Sequence, residues 1–317
     1  MNITNLAVQI HKLSDTSLWE GVEIAHDMGV SAMTFFGMPR PYTPGEPTVA
    51  FLWDELDRAT RKAVERLRSK FDRAVIHAPF VQTPLVSPNP HIERESRRQL
   101  LMSVRAAGAL GLEAVTVHAG LPTGMTQDEF DPRLIEFLQI LGDEAERADT
   151  KIGLENWRYP ATPEDHLRLL EAVDHPAVGA TLDVGHICYW FENEGVTALT
   201  DEPAVATYQA RLHTMIDQIA PYIVHVHLHD VHPNPLRDHR QVGTGIIDFA
   251  PVVQQLERCG FDGVMLFELG EADQRQAQAE SVRLLKNFTI HQCEDVDHAM
   301  DQSAITGKSM QQWQNRI

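Results

Sequence analysis

Short apolar runs alternate with longer amphipathic stretches along most of the chain. The short runs are rich in β-branched and aromatic residues, and they lie at residues 5–10, 31–36, 73–78, 113–119, 151–156, 178–184, 222–229 and 263–269. The longer stretches repeat their apolar positions with helical period, and they lie at residues 16–28, 51–71, 95–110, 132–148, 163–173, 204–220, 249–259 and 273–288. Such patterns predict strands and helices respectively. Their strict alternation predicts an α/β protein.

Two α/β architectures are compatible with eight strands and eight helices in alternation. A doubly wound open sheet usually has a glycine-rich phosphate-binding turn after its first strand, and the sequence "VQIHKLSDTS" has no glycine. We therefore expect a (β/α)8 TIM barrel, formed as a single domain by residues 1–290. Residues 291–317 are polar and without repeats, and we expect them to form a short C-terminal extension.

Charge and composition restrict the partners of this chain. The chain has 317 residues and a formal net charge of −18 at pH 7. A nucleic-acid partner requires a basic face, because neutralisation of phosphates dominates such binding. The basic cluster Arg94, Arg97 and Arg98 is more typical of a solvated helix face. The charge therefore argues against a nucleic-acid partner.

The sequence also favours a cytoplasmic protein without a membrane partner. Cys188, Cys259 and Cys293 are far apart and odd in number, which is typical of a reducing compartment. The first residues, "MNITNLAVQIHK", lack the basic segment and apolar run of a signal peptide. No apolar stretch approaches the roughly 18–20 residues that span a bilayer.

Acidic and imidazole side chains end six successive predicted strands. In a TIM barrel, catalytic groups come from the C-terminal ends of the strands. The residues at these ends are His77, His118, Glu155, Asp183, His227 and Glu268. Buried carboxylates are costly unless a cation accompanies them, and none of these strand ends contains a lysine. The pattern therefore predicts a divalent metal site at this rim.

The stretch "IVHVHLHDVH" places three histidines on one face of the seventh strand. His225, His227 and His229 are two residues apart, which separates neighbours on a face by roughly 6.6 Å, too far for one ion to bind all three. We predict that His227, level with Asp183, binds metal. His225 is expected to form hydrogen bonds one layer deeper, and His229 to reach substrate or a second metal. Asp230 is expected on the opposite face.

The order and spacing of these motifs resemble a known superfamily. "HAPF", "VHAG", "GLEN", "LDVGH", "HVHLHD", "VGTGIIDF" and the strand-end Glu268 are similar, from about residue 3 to about 290, to the xylose-isomerase-like barrels. That superfamily includes sugar isomerases and epimerases, hydroxypyruvate isomerase and the endonuclease IV family. Resemblance to the epimerases implies a metal site of Glu155, Asp183, His227 and Glu268. It also implies that both glutamates act as acid and base and that His186 contacts substrate.

Resemblance to the nucleases implies three zinc ions. Most of their ligand positions are kept, at His77, His118, Glu155, Asp183, His186, His227, His239 and Glu268. The nucleases also have an aspartate two residues before the last histidine, where this chain has Arg237, with Asp238 displaced by one position. Phe80 replaces a tyrosine of the nuclease motif "HAPY". The sequence leaves open one, two or three ions, and Mn, Mg, Co or Zn as the metal.

These observations lead to three hypotheses. The first is a metal-dependent isomerase or epimerase of a sugar, sugar phosphate or polyol, or a related lyase, that acts through an enediolate. The second is a zinc-dependent phosphoesterase of the endonuclease IV type, and the third is a barrel that only binds sugar, which the intact pair of glutamates disfavours. Trp157, Arg40 and Arg240 are predicted to contact a small carbohydrate substrate. We also expect self-association into a homo-oligomer.

Overall fold

Eight parallel strands close into a barrel in the computed structural model, which describes residues 5–288. The barrel strands are β1 (Leu6–Val8), β2 (Ala32–Phe36), β3 (Arg73–His77), β4 (Ala114–His118), β5 (Lys151–Glu155), β6 (Val178–Asp183), β7 (Ile223–Leu228) and β10 (Met265–Phe267). Neighbouring strands follow the order β1-β10-β7-β6-β5-β4-β3-β2. The predicted (β/α)8 TIM barrel is confirmed.

Helices surround this barrel and connect its strands. They are α1 (Leu18–Asp27), α2 (Arg58–Arg68), α3 (Pro90–Leu110), α4 (Gln127–Arg147), α5 (Pro163–Val173), α6 (Ile187–Asn193), α7 (Glu202–Ile219), α8 (Phe249–Arg258) and α9 (274–288). Many begin after a polar residue whose side chain accepts a hydrogen bond from the first turn, at Ser17, Asp57, Asn89, Thr162, Asp201 and Asp248. Such caps satisfy N–H groups that the helix leaves free, so they fix where each helix begins.

Two elements between β6 and β10 differ from the sequence prediction. The segment after Asp183 contains the additional helix α6, which has seven residues and is too short to show a helical period. An antiparallel ribbon follows β7, with strands β8 (Asp230–Pro233) and β9 (Leu236–Arg240). Its sequence lacks the alternation of apolar and polar residues that identifies a half-buried strand. Both additions lie at the rim where the histidines and carboxylates gather.

Strand register brings the strand-end residues to one level of the rim. His118 pairs with Glu155 across β4 and β5, and Asp183 pairs with His227 across β6 and β7. The backbone N–H of Glu268 donates to the Leu228 carbonyl at 3.2 Å, which places Glu268 just beyond the end of β7. The parallel register therefore assembles residues that are up to 150 positions apart, from His118 to Glu268.

A glycine allows close packing below this level. A Cβ atom on Gly153 would lie 2.1 Å from Thr181 Oγ1 on the adjacent strand. The Thr181 hydroxyl in turn lies 3.0 Å from that of Thr116. The barrel interior directly beneath the rim thus includes closely packed small side chains and hydroxyls.

The described chain contains no candidate membrane span. None of the helices within residues 5–288 combines the length and the apolar character of a transmembrane segment. The C-terminal extension predicted at residues 291–317 lies outside the described residues.

Candidate metal centre

Four side chains from strands β5, β6, β7 and the end of β10 converge at the centre of the rim. Glu155, Asp183, His227 and Glu268 each offer one ligand atom, and these four atoms all lie within 4.8 Å of one another. His227 Nδ1 lies 3.1 Å from Glu155 Oε1, 3.6 Å from Asp183 Oδ2 and 3.2 Å from Glu268 Oε2. We call these four residues the central cluster. These are the four residues that the resemblance to the sugar epimerases implies as metal ligands.

The charge of the central cluster suits a divalent cation. Three carboxylates surround one imidazole, and their ion pairs in residues 5–288 are with histidines rather than with lysine or arginine. Burial opposes the charged form of His227, but Glu155 and Glu268 outweigh it and hold the pKa of His227 well above its usual value. Within the cluster itself one imidazolium faces three carboxylates, and further positive charge comes from neighbouring histidines such as His239, whose pKa burial opposes but hydrogen bonds to Asp238 and Glu268 raise to about 10. A divalent ion fits this donor set, and it would displace the proton from His227 on binding.

His77, His118 and Glu155 form a second cluster, which we call the histidine pair cluster. It shares Glu155 with the central cluster. His118 Nε2 lies 2.6 Å from Glu155 Oε2, and His77 Nε2 lies 3.5 Å from the same oxygen. His77 Nδ1 contacts the carbonyl of Ala78 at 2.7 Å, which favours the tautomer with its proton on Nδ1. That tautomer leaves a lone pair on His77 Nε2, as a metal-binding histidine requires.

A third cluster lies on the other side of Asp183 and contains His186, His229 and His239. His229 Nε2 lies 2.9 Å from Asp183, while His229 Nδ1 accepts a hydrogen bond from the His239 backbone N–H at 2.9 Å. Both nitrogens of His229 are therefore engaged with protein atoms. This hydrogen bonding favours His229 as a residue that orients Asp183, whereas His186 and His239 keep a nitrogen directed to the cluster.

A bulge in β9 adds a carboxylate to the third cluster. Asp230 pairs with Arg240 and His232 with Arg237, so a single residue of β8 faces the two residues Asp238 and His239. The backbone of His239 adopts φ 55°, and the carboxylate of Asp238 lies 3.0 Å from His239 Nδ1 and 3.7 Å from His186 Nε2. A bulge redirects side chains at such a point. Asp238 lies one position after Arg237, which occupies the place of the nuclease aspartate. The bulge nevertheless brings the Asp238 carboxylate to the third cluster.

Asp230 supports the loop after the ribbon. Its carboxylate accepts hydrogen bonds from the backbone N–H groups of Val231, Gly243, Gly245 and Ile247 at 2.7–3.1 Å. A Cβ on Gly245 would lie 2.2 Å from the Val231 carbonyl oxygen, so only glycine fits there. Asp230 points away from the three clusters, as strand alternation predicts.

The predicted substrate contacts lie in different surroundings. Trp157 packs against His118, with ring centroids 5.3 Å apart, and therefore covers the histidine pair cluster. Arg40 is exposed and lines a cavity beside Glu268. Arg240 is buried, and its guanidinium donates to Glu271 at 3.2 Å and to the carbonyls of Asp238 and Gly270. The hydrogen bonds that the Arg240 guanidinium makes with these three residues are thus internal to the protein.

His225 lies one layer below the central cluster. Its Nδ1 contacts the Val264 carbonyl at 2.6 Å, and its ring packs edge-on against that of His227 at 4.9 Å. Burial, together with the charge of His227, lowers the pKa of His225 to about 3. His225 is therefore neutral at physiological pH and forms the hydrogen bond expected from the sequence.

The sequence profile of the xylose isomerase-like TIM barrel family matches residues 22–288. The chain belongs to this family. Among its relatives, the uncharacterised protein MJ1311 of Methanocaldococcus jannaschii is 26% identical over 278 residues, which cover 81% of this chain and 87% of that protein. A probable endonuclease 4 of Aquifex aeolicus is 26% identical over 148 residues, covering 46% of this chain and 49% of that protein.

Solved structures share the fold of this xylose isomerase-like barrel. A D-tagatose 3-epimerase-like protein superimposes with a TM-score of 0.69 at 22% identity, covering 92% of this chain and 99% of its own. A xylose isomerase-like TIM barrel protein from Mycobacterium smegmatis, solved in complex with magnesium, gives 0.62 at 14% identity, covering 89% and 95%. Sequence identities of 22% and 14% support a shared fold and no conclusion about activity.

Sequence reasoning missed several residues of this xylose isomerase-like barrel that lie beside Glu268. A cavity of about 720 Å³ opens there, and Gln9, Lys12 and Leu269 are among the residues that line it. Gln9 directly follows β1, so its position at a strand end was the signal that could have identified it.

Proposed function

We propose that this protein is a divalent-metal-dependent isomerase or epimerase of a sugar or polyol that carries a carbonyl group, with Mn, Mg, Co or Zn held by the central cluster. The observation that carries this proposal is the pair of glutamates within that cluster. Glu155 and Glu268 come from strands separated by β6 and β7 in the barrel, so they reach the site from different directions. Glu268 also borders a cavity that can hold a sugar.

Each glutamate has a distinct part in the proposed reaction. The metal ion, when bound, supplies Lewis acidity that polarises a substrate carbonyl and acidifies the adjacent C–H bond. One glutamate accepts that proton on a carboxylate oxygen, and the other returns a proton to the same or the neighbouring carbon. Glu268 is 14% exposed and Glu155 is fully buried, which favours Glu268 as the group that exchanges its proton with solvent.

Hydrogen–deuterium exchange tests the proposal directly. Metal-loaded protein is incubated in D2O with a panel of aldoses and ketoses, and NMR follows deuterium incorporation next to the carbonyl. We expect incorporation that stops after chelation and falls at least 100-fold in Glu268→Gln. Glu280→Gln, an exposed partner of Arg283, serves as the control and should retain full exchange. Exchange that persists in Glu268→Gln would contradict the assigned role.

The two histidine-rich clusters favour a second candidate function, a zinc-dependent phosphoesterase. The histidine pair cluster and the third cluster adjoin the central one, so this rim can hold more than one ion. Additional zinc ions would supply a nucleophile and stabilise the leaving oxygen of a phosphodiester. The formal charge of −18 argues against a DNA substrate.

Metal content and phosphodiester cleavage distinguish the two candidates. Elemental analysis of protein purified without chelator should give about one ion per chain for the isomerase. Two or three zinc ions, together with cleavage of an abasic oligonucleotide or of bis(4-nitrophenyl) phosphate that His118→Asn abolishes, would favour the phosphoesterase.

A further inference from the structure

The cavity beside Glu268 is a built chamber with a fixed outer wall. It lies between β1, β2 and the loop of residues 37–50, and Glu268 and His239 border its inner end. The loop is attached at both ends, because the Phe36 N–H donates to the Val49 carbonyl at 2.7 Å and the Phe51 N–H to the Phe36 carbonyl at 2.9 Å. In its middle, the Gly45 N–H donates to Thr60 Oγ1 at 2.8 Å. We refer to this cavity as the chamber.

The chamber is larger than a simple sugar. Its volume is about 720 Å³. A six-carbon sugar has about twelve non-hydrogen atoms, and at the ~30 Å³ that one water molecule occupies in the liquid it fills at most roughly 360 Å³. A sugar placed at the central cluster therefore leaves about half of the chamber free for another part of the substrate.

The free part of the chamber is apolar and balanced in charge. Its apolar lining includes Phe36, Met38, Pro41, Pro47, Val49 and Phe80. In this part Arg40 and Glu46 carry opposite charges, while Lys12 and Glu268 interact with each other at the inner end. Apolar walls gain free energy by removing apolar surface from water, and a balanced charge gives no advantage to an ionic group. These walls suit a neutral apolar or aromatic group.

Gln9 provides a polar contact at the inner end. Its side chain is 2% exposed, and within residues 5–288 its Oε1 has no hydrogen-bond partner. Ala7 pairs with Leu266 across β1 and β10, and continuing this register places Gln9 beside Glu268. A buried carbonyl oxygen without a partner is costly, so the position calls for a donor from the ligand. A sugar hydroxyl next to the central cluster supplies one.

We propose that the substrate is a carbonyl-bearing sugar with a neutral apolar or aromatic substituent, whose sugar part contacts Gln9 and whose substituent fills the chamber. This inference rests on the proposed isomerase or epimerase function and specifies its substrate class. Gln9 acts as a positioning residue for the sugar, and the loop of residues 37–50 determines specificity for the substituent.

Binding of unreactive glycosides tests the chamber separately from the chemistry. Phenyl and methyl β-D-glucopyranosides, and the corresponding galactopyranosides, have no carbonyl group and are not turned over. Isothermal titration of the metal-loaded full chain compares each phenyl glycoside with its methyl partner. We expect the phenyl glycoside of at least one pair to bind at least tenfold more tightly, as burial of an aromatic ring predicts.

Three variants assign that preference to its residues. Met38→Trp fills the chamber and should reduce the phenyl preference to below twofold. Gln9→Met should weaken both glycosides of a pair equally and leave the preference unchanged. Leu121→Trp adds the same ring at an exposed position that does not line the chamber, and it should bind like the parent protein. Circular dichroism establishes that each variant is folded.

The outcomes separate this inference from the proposed function. Equal binding of phenyl and methyl glycosides, a preference that survives Met38→Trp, or no binding of any of the four probes would each overturn the substrate class. Metal-dependent deuterium exchange on simple sugars would still stand in that case. Conversely, the phenyl preference could be present and be lost in Met38→Trp, while no sugar shows deuterium exchange. That result would support the apolar binding site and contradict the isomerase or epimerase function.

Discussion

At the scale of single residues, Gly185 shows how tightly the rim is packed. A Cβ atom at this position would lie 2.0 Å from Cε1 and 2.3 Å from Nδ1 of His229. The ring of His229 cannot remain 2.9 Å from Asp183 if that space is filled. Gly185 therefore determines the orientation of Asp183, a candidate ligand in the central cluster, through the ring of His229.

Gly185→Ala should weaken metal binding without removing any ligand. Displacement of His229 frees Asp183 from its hydrogen bond, and loss of such a contact typically lowers metal affinity 10–100-fold. Competition with a fluorescent chelator measures the change. Gly120→Ala is the matched control, because its Cβ would meet only Trp157 at an ordinary 3.7 Å. Equal affinity in both variants would contradict this account.

His166 should make stability depend on pH. Burial lowers the pKa of His166 from 6.5 to about 4. Between pH 6.5 and 4, His166 is protonated in the unfolded chain but neutral in the folded protein. The free energy of unfolding therefore has its full value above pH 6.5 and falls as the pH drops towards 4. The loss amounts to about 3 kcal/mol at most.

Urea unfolding of chelated protein at pH 7 and pH 4 measures this loss. His166→Leu should reduce the difference between the two pH values by up to about 3 kcal/mol, whatever its effect on stability at pH 7. His91→Leu, at an exposed position, should leave the difference unchanged. An unaltered pH dependence in His166→Leu would mean that other groups cause it.

At the scale of elements, the ribbon and its following loop depend on Asp230. Replacing this residue by asparagine should destabilise the protein by roughly 1–3 kcal/mol, because an amide group cannot accept all four backbone hydrogen bonds. The exposed helix cap Asp248→Asn is the control and should cost less than about 1 kcal/mol. Chemical unfolding measures both variants, and an equal effect would show that the loop does not depend on the charge of Asp230.

The same elements mark what the sequence does not predict. Barrel strands are identifiable because their buried runs are apolar and β-branched, and α5 was predicted at its observed bounds because Thr162 and Pro163 define its start. The ribbon is polar and irregular, so its sequence has no periodic pattern that identifies strands. Its bulge depends on how residues 230–232 pair with residues 237–240. The place of Asp238 in the third cluster therefore follows from tertiary structure alone.

At the scale of the whole molecule, a bound metal ion should act as a stabilising ligand. An ion at about 100 times its dissociation constant stabilises the folded state by about 2.7 kcal/mol. For a barrel of this size, that corresponds to a rise in Tm of roughly 4–5 °C. Differential scanning calorimetry with and without chelator measures the rise. Asp183→Asn should show a smaller rise, and an unchanged Tm in the parent protein would contradict metal binding.

The whole site divides into a part that sequence predicts and a part that it does not. Strand-end residues such as Glu155 and His227 are predictable because parallel strands must bring their C-terminal ends to one rim. The chamber beside Glu268 is not, because its walls come from a loop whose path depends on contacts with β2 and Thr60. Sequence thus identified the candidate chemistry, while the size of the substrate space required the structure.

Glu155 presents one carboxylate oxygen to His227 and the other to His118, so the central and histidine pair clusters have a ligand in common. Two ions that share a carboxylate cannot bind independently. A first ion would fix the orientation of Glu155 and reduce its negative charge, so a second ion would meet a site that is better ordered but less negative. By linkage, each ion alters the affinity of the other by the same factor. A metal titration steeper than that of independent sites would therefore mean that the ordering of Glu155 dominates. A shallower titration would mean that the loss of its negative charge dominates.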